Sequence, residues 1–232
     1  MTTRHHRLDR YLARRLQISR KAVKPLLAQG RVRVDGAGCD DPARIIGPFS
    51  HITFDQQVLQ ANTPRYLMLN KPAGIVSATS DAHHRTVLDL LPARQRDGLH
   101  IAGRLDYHST GLVLLTDDGN WSRWLCDPVN EIWKRYRVTL EKPLRESDVQ
   151  AFAEGMYFAF EDLTTRPAQL TIVDTHQALV HLQEGRYHQI RRMFARCGNK
   201  VVTLHREAVG QIELDTGLGP GAWRILGPHE QP

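Results

Sequence analysis

The chain has 232 residues, 41% of them hydrophobic and 24% charged, with a formal net charge of +6; that length exceeds an ordinary domain and falls short of two, so one domain plus a small module is expected. A mean hydropathy of −0.42 and the lack of any apolar run near about 18 residues exclude a membrane-spanning helix. No apolar stretch of roughly 7 to 15 residues follows the first charges, so a secretory leader is not expected and the cytoplasm is the expected compartment.

The positive charge is concentrated at the start. Residues 1–60 carry 11 basic and 5 acidic side chains, while the rest of the chain balances at 20 of each. Up to residue 33 the basic residues are Arg4, Arg7, Arg10, Arg14, Arg15, Arg20, Lys21, Lys24, Arg31 and Arg33, against the lone acid Asp9. Such asymmetry points to a module that binds a polyanion. Leu8, Tyr11, Leu12 and Leu16 recur at helical spacing. Ser19 then reads as the N-cap of a second helix with Ala22, Val23, Leu26 and Leu27 on its apolar face, stopped by Gly30. Pro25 inside that helix is expected to kink or loosen it. Arg31-Val32-Arg33-Val34 running into Asp35-Gly36 is a strand and turn with both arginines on one face.

The stretch RLDRYLARRLQISRKAVKPLLAQGRVRVDG resembles the S4 RNA-binding domain over roughly residues 5–55. The resemblance implies that Arg20, Lys21, Lys24, Arg31 and Arg33 grip an RNA backbone. Phosphate neutralisation of that kind gives affinity without sequence information. A linker is expected near residues 56–64, with domain limits at 1–59, a linker at 60–64 and a second domain at 65–232.

From Arg65 the pattern becomes α+β. Strands are expected at Tyr66–Leu69, Leu112–Thr116, Tyr136–Leu140, Gln169–Val173, Ala178–Leu182 and Val201–Leu204, and a helix over Arg186–Cys197 with Ile190, Met193, Phe194 and Cys197 facing inward. Cys39, Cys126 and Cys197 are too far apart for a zinc site and odd in number, so they read as reduced packing residues. Asp117-Asp118-Gly119 reads as a turn, and His83-His84 and His5-His6 lack a third metal ligand at useful spacing.

The segment Gly103-Arg104-Leu105-Asp106-Tyr107-His108-Ser109-Thr110-Gly111-Leu112 sets a charged pair in a Gly-bounded loop before an apolar strand, where Asp106 can point into a cleft or close an Asx turn. Three other segments accompany it: Leu69-Asn70-Lys71-Pro72-Ala73-Gly74, Lys134-Arg135-Tyr136, and Gly185-Arg186-Tyr187-His188-Gln189-Ile190-Arg191-Arg192-Met193. Together they resemble the pseudouridine synthase family, in the branch typified by ribosomal small subunit pseudouridine synthase A. The likeness runs from LNKPAG through AGRLD, TGLVLLTDDG, KRY and EGRYHQIRRMFA to LHREAVGQIEL and PGAWRIL.

That resemblance implies an S4-like module followed by a catalytic domain whose mixed, mainly antiparallel sheet is split into two halves around a cleft. It makes Asp106 the catalytic aspartate, Arg104 the residue that helps displace the target base, Tyr136 the ring that stacks on uracil, Arg191 the cation paired with Asp106, and Ile190 the apolar support beneath the ring. Lys71 with Pro72 is expected to form a cleft wall that meets substrate. Ser109 stands where the family commonly has threonine, and both carry a hydroxyl. Arg186, Arg191, Arg192, Arg196, Lys200 and Arg206, with no acid among residues 185–206, are read as facing RNA, Arg186 and Arg192 chief among them; His188 and His205 read equally as RNA contacts or structural histidines.

The implied chemistry fits the residue types. Converting uridine to pseudouridine breaks the C1′–N1 bond, turns the uracil and forms C1′–C5; it asks for one ionised carboxylate and a pocket for a loose base, and for no metal or organic cofactor. A nearby Arg191 would favour the charged carboxylate. Attack at C1′, addition to the uracil ring and proton abstraction to a glycal all stay open to Asp106. The target must leave its stack to be reached, which accounts for an aromatic platform among cations.

Two rivals remain at this point. A non-catalytic RNA-binding protein leaves the larger region without a purpose, and a glycoside hydrolase needs a second acid, for which Glu131 or Glu184 is the candidate. The substrate implied is one uridine of 16S rRNA, with 23S rRNA as the alternative, and naked RNA and an assembly intermediate of the small subunit both stay open. One active site per chain needs no partner subunit, so a monomer without membrane attachment is expected.

Overall fold

The computed structural model describes residues 5–231; Arg4 of the basic cluster lies outside them. Two compact units follow one another, Met1–Pro64 and Arg65–Pro232.

The first unit opens with β1 (His6–Arg7), α1 (Leu8–Leu16) and α2 (Arg20–Ala28). Ser19 caps α2 by accepting a hydrogen bond from the Ala22 amide at 3.2 Å, one of the orphan donors of a helix start. The helix runs on through Pro25 to Ala28, so the ring costs it a hydrogen bond and does not break it. β2 (Val32–Val34), β3 (Ala37–Gly38), β5 (Ile52–Phe54) and β6 (Gln57–Gln60) form an antiparallel sheet in the order β3-β2-β5-β6, while β4 (Ile45–Ile46) pairs with β1. Residues 57–60, expected within a linker, are a strand, because hydrogen bonding to β5 compensates for the weak apolar pattern of Gln-Val-Leu-Gln. Leu8, Leu12, Val23, Leu27, Val32 and Ile52 close the core.

In the second unit β7 (Tyr66–Lys71), α3 (Ala93–Arg96), β8 (His100–Ala102), β9 (Thr110–Thr116), α4 (Gly119–Cys126) and β10 (Lys134–Leu140) come first. α5 (Glu146–Glu154), the hairpin β11 (Tyr157–Phe158) and β12 (Leu163–Thr164), β13 (Gln169–Asp174), β14 (Gln177–Leu182), α6 (Gln189–Arg196), β15 (Val201–Val209), β16 (Ile212–Glu213) and β17 (Trp223–Ile225) follow. The large sheet runs β13-β14-β10-β15-β9-β7-β17, with β8 on β9 and β16 on β15. Its pairs are antiparallel except β15 with β9, which meet in parallel over only two residue pairs, His205 with Thr110 and Arg206 with Gly111. The sheet is therefore mixed and mainly antiparallel, with its halves joined at a short seam. β7 is buried along its whole length because Leu67 and Leu69 face one apolar cluster and Tyr66 and Met68 another; a strand covered on both faces reads as a continuous apolar run.

The helix expected from Arg186 begins at Gln189. His188 takes a left-handed conformation, φ 47° and ψ 31°, which leaves residues 185–188 as a loop. Cys39 is buried, Cys126 is exposed and Cys197 is partly buried, so packing accounts for the first and not for the second.

Candidate active site

A cleft of about 580 Å³ opens over the loop that precedes β9. Arg104, Asp106, Tyr136, Ile190, Arg186 and His188 line it together with Ser109, Leu182 and Leu204. Four of the six residues assigned by resemblance to catalysis or the target base thus share one cavity: Arg104 and Asp106 from the loop, Tyr136 from β10 and Ile190 from α6. Asp106 is the only carboxylate among the described residues that line it.

The loop carrying Asp106 is fixed through its backbone. Ser77 Oγ donates to the Leu105 carbonyl at 2.8 Å and accepts from the Leu105 amide at 3.0 Å. The Ser109 amide donates to the Asp106 carbonyl at 3.1 Å, and the Gly74 amide to the Tyr107 carbonyl at 2.9 Å. Two buried cations hold the remaining carbonyls. Lys71 Nζ donates to Ser109 O at 2.7 Å, Pro72 O at 3.0 Å and Tyr107 O at 3.3 Å. Arg206 donates through Nε to Leu112 O at 2.8 Å, and through Nη1 and Nη2 to Arg104 O at 3.3 Å and Gly103 O at 3.0 Å. A carboxylate on so constrained a backbone keeps its aim without reorganising when charge develops, the condition for electrostatic catalysis.

Lys71 therefore differs from its expected place. It is 0% exposed, is not among the residues lining the cleft, and anchors the loop from behind. Burial pushes its pKa down to about 8, against the opposing pull of Asp106.

Arg191 also differs. Its Nη1 donates to the Val201 carbonyl at 3.1 Å, and the ion pairs of the described residues do not include it with Asp106. The side chain that faces Asp106 is His188, with Nε2 3.6 Å from Oδ1. The start of α6 at Gln189 rather than at Arg186 places the imidazole at the cleft and leaves Arg191 a turn further on.

Arg206 escaped the sequence reading as a site residue. Counted among the basic residues of 185–206, it is 2% exposed and its guanidinium carbon lies 6.0 Å from the Tyr136 ring centroid. The alternation Leu204, Arg206, Ala208 on the buried side of β15 is the signal that its side chain turns inward. Ser109 lines the cleft too, and its buried hydroxyl has no hydrogen-bond partner among the described residues.

The remaining basic residues of 185–206 are mostly engaged within the protein. Arg186 meets Glu184 at 2.5 Å, Arg192 meets Glu161 at 2.6 Å and Lys200 meets Glu141 at 3.9 Å; Arg192 also lies 4.2 Å from the Phe158 ring centroid. The stretch is one-sided only along the chain, because Glu184 stands just before it and Glu161 and Glu141 arrive from elsewhere in the fold. Glu184 and Glu131, the candidate second acids of a hydrolase, both lie outside the cleft lining. Glu184 is buried and accepts from Arg186 and Gln189, while Glu131 pairs with Arg166 at 3.2 Å. His205 bonds the Thr110 hydroxyl at 2.8 Å, a structural contact. Asp118 caps α4 and Asp117 pairs with Arg65 at 2.7 Å, so that acidic pair is a turn with two separate tasks. No group of three His, Cys, Asp or Glu residues poised to hold a metal occurs among the described residues.

In the first unit the five expected RNA-gripping cations divide. Arg20 Nη2 meets Asp9 at 2.7 Å, with Arg7 on the same carboxylate at 3.1 Å; the two guanidinium groups hold the Asp9 carboxyl well below the usual range. Arg31 chelates Asp55 and lies 4.7 Å from the Phe54 ring centroid. Lys21, Lys24 and Arg33 are exposed and make no ion pair among the described residues.

Comparisons with known proteins identify the family. The family model described as RNA pseudouridylate synthase matches residues 65–196, and the S4 domain model matches residues 6–52. The chain is 51% identical to ribosomal small subunit pseudouridine synthase A of Pseudomonas aeruginosa, over 97% of this chain and 98% of the relative. It is 43% identical to the protein of the same name from Escherichia coli, over 97% of each chain. A solved structure described as a pseudouridylate synthase superposes with a TM-score of 0.71 at 38% identity, covering 97% of both chains.

Proposed function

The chain belongs to the RNA pseudouridylate synthase family, and from that premise we propose that it isomerises one uridine of 16S rRNA to pseudouridine with Asp106 as the catalytic carboxylate. The observation that carries this reading is a cleft whose described lining holds one carboxylate, on a loop anchored through its backbone, together with an aromatic ring and cations. A hydrolase of the two-acid kind needs a second carboxyl group across the scissile bond, and the described lining offers none.

The reaction is an isomerisation, so everything that leaves one atom of uracil must return to another. The C1′–N1 bond breaks with its electron pair moving onto the uracil, the ring turns, C5 bonds to C1′, C5 loses its proton and N1 gains one. Asp106 supplies the anion at the sugar and base. Tyr136, in the cleft wall with Arg206 near its ring, is the face against which a free uracil stays flat, and Ile190 closes the apolar side. Arg104, exposed on the loop two residues before Asp106, takes the place vacated by the extruded base. Lys71 and Arg206 act at one remove, by holding the loop.

The small-subunit relatives at high identity over the full chain support small-subunit rRNA as the substrate. The reading needs no second copy of the chain, so a monomer is part of the proposal, and the cytoplasm, where rRNA is made in bacteria, is the fitting compartment. Incubation with rRNA tritiated at uridine C5 tests the reaction. Release of tritium without free uracil is the expected result; free uracil would reassign the chain to hydrolysis, and no change to binding alone.

A further inference from the structure

A recess of about 270 Å³ adjoins the cleft, lined by Phe158, Glu161, Leu163, Thr165 and Arg192. Arg186, Tyr187 and Gln189 line both cavities, and His188 lines only the cleft. The Tyr187 ring lies flat on the His188 imidazole, with centroids 3.9 Å apart and 14° between planes. One face is thus covered, yet the residue is 76% exposed.

The loop that presents this ring is fixed. Buried Glu184 accepts hydrogen bonds from the Arg166 amide, from Arg186 Nε at 2.5 Å and from Gln189 Nε2 at 3.3 Å. Gln189 Oε1 in turn accepts from the Arg186 amide at 3.2 Å. The left-handed backbone of His188 turns the two rings into register. An aromatic ring held out into water forgoes the free energy of burial, so its free face is available to a flat partner. Arg186 is bonded through Nε alone, and neither Nη group makes a hydrogen bond among the described residues.

We propose that Tyr187 is the platform of a second nucleotide subsite, on which the base next to the target uridine in the RNA strand stacks while Arg186 faces its backbone. This rests on the reading of the cleft as the pocket for an extruded uridine. Extrusion removes a stacking partner from each neighbouring base, and those neighbours are tethered to the target by one phosphate linkage. Tyr187 lines both the target pocket and the recess, so its ring offers a stacking surface to such a neighbour. The recess is smaller than the roughly 300–1,000 Å³ that encloses a drug-sized ligand, so it takes one base and not a helical turn.

The test compares the full-length chain with Tyr187→Ala and Tyr187→Phe on a 16S rRNA transcript tritiated at uridine C5. Tyr187→Ala should raise KM about 5- to 150-fold, the equivalent of one base–aromatic stack worth roughly 1–3 kcal/mol, with the loss carried by KM rather than kcat, and Tyr187→Phe should restore KM to within about twofold. Short-wave ultraviolet crosslinking should attach the Tyr187 peptide to the nucleotide adjacent to the modified one. An unchanged KM in Tyr187→Ala would overturn the subsite, as would a crosslink to the modified uridine itself. A wild-type chain that releases no tritium would overturn the proposed reaction instead. The crosslink still decides in that case, since absence of RNA on the Tyr187 peptide overturns the subsite.

Discussion

Gly111 of β9 and Arg206 of β15 are paired across the parallel seam of the large sheet, so closely that a β-carbon on Gly111 would lie 2.7 Å from the Arg206 amide nitrogen and closer still to its carbonyl oxygen. Gly111 also holds φ at +103°, a conformation side-chain-bearing residues avoid. The same Arg206 reaches back to the carbonyls of the Asp106 loop, so seam and active site share one residue. Gly111→Ala should destabilise the chain by more than about 1–3 kcal/mol, because the obstacle is backbone and cannot swing away. The midpoint of denaturant unfolding reads this directly.

Asp106→Asn preserves shape and hydrogen bonding and removes the anion. Single-turnover conversion should fall at least about a thousandfold while RNA affinity survives. Conversion within tenfold of wild type would remove Asp106 from the chemistry.

Arg206→Lys tests the loop clamp. The guanidinium fork serves Leu112, Arg104 and Gly103 together, and a compact ammonium cannot reproduce that planar reach. The variant should stay folded and lose about a hundredfold in single-turnover rate, the scale of a misplacement near 1 Å. Arg206→Met, which strands buried carbonyls at about 1–3 kcal/mol each, should in addition lower the unfolding midpoint.

Lys71 gives a pH-dependent signature. Its pKa is lowered from 10.5 to about 8 in the folded chain, so between those values the unfolded chain holds a proton that the folded chain has released. Stability contributed at this position must then rise with pH across the window from about 8 to 10.5, by at most roughly 1.4 kcal/mol per pH unit. Below pH 8 both states are protonated and the slope vanishes. Comparing wild type with Lys71→Met by denaturant unfolding from pH 7 to pH 10 isolates the effect; equal slopes in both proteins would mean that Lys71 keeps an ordinary pKa.

In the first unit, Lys21→Ala, Lys24→Ala and Arg33→Ala combined should weaken RNA binding at low salt. Each lost phosphate contact should also flatten the salt dependence of log K by roughly 0.7 to 0.9. Arg20→Ala should act differently. It strips a partner from the buried Asp9 carboxylate and should lower the stability of this unit. Binding across a salt series and unfolding curves separate the two effects.

The sequence by itself determined the main helices and many of the strands, though not the strand at residues 57–60 or the start of α6. Periodicity of apolar residues at Leu8, Leu12, Val23 and Leu27 and at Ile190, Met193 and Phe194 marked the helices, and the run from Tyr66 to Leu69 marked a strand, because these patterns record which side of each element leaves water. The resemblance of the motifs to the pseudouridine synthase family brought Arg104, Asp106, Tyr136 and Ile190 into view, and all four line one cleft. Only the tertiary structure decided what each cation does. Lys71 and Arg206 are buried loop anchors, Arg20 and Arg31 are held by Asp9 and Asp55, and Arg191 points to Val201 while His188 faces Asp106. A charge has no periodicity that names its partner. Its fate depends on carboxylates and carbonyls that arrive from distant parts of the chain, and those distances exist only once the chain has folded.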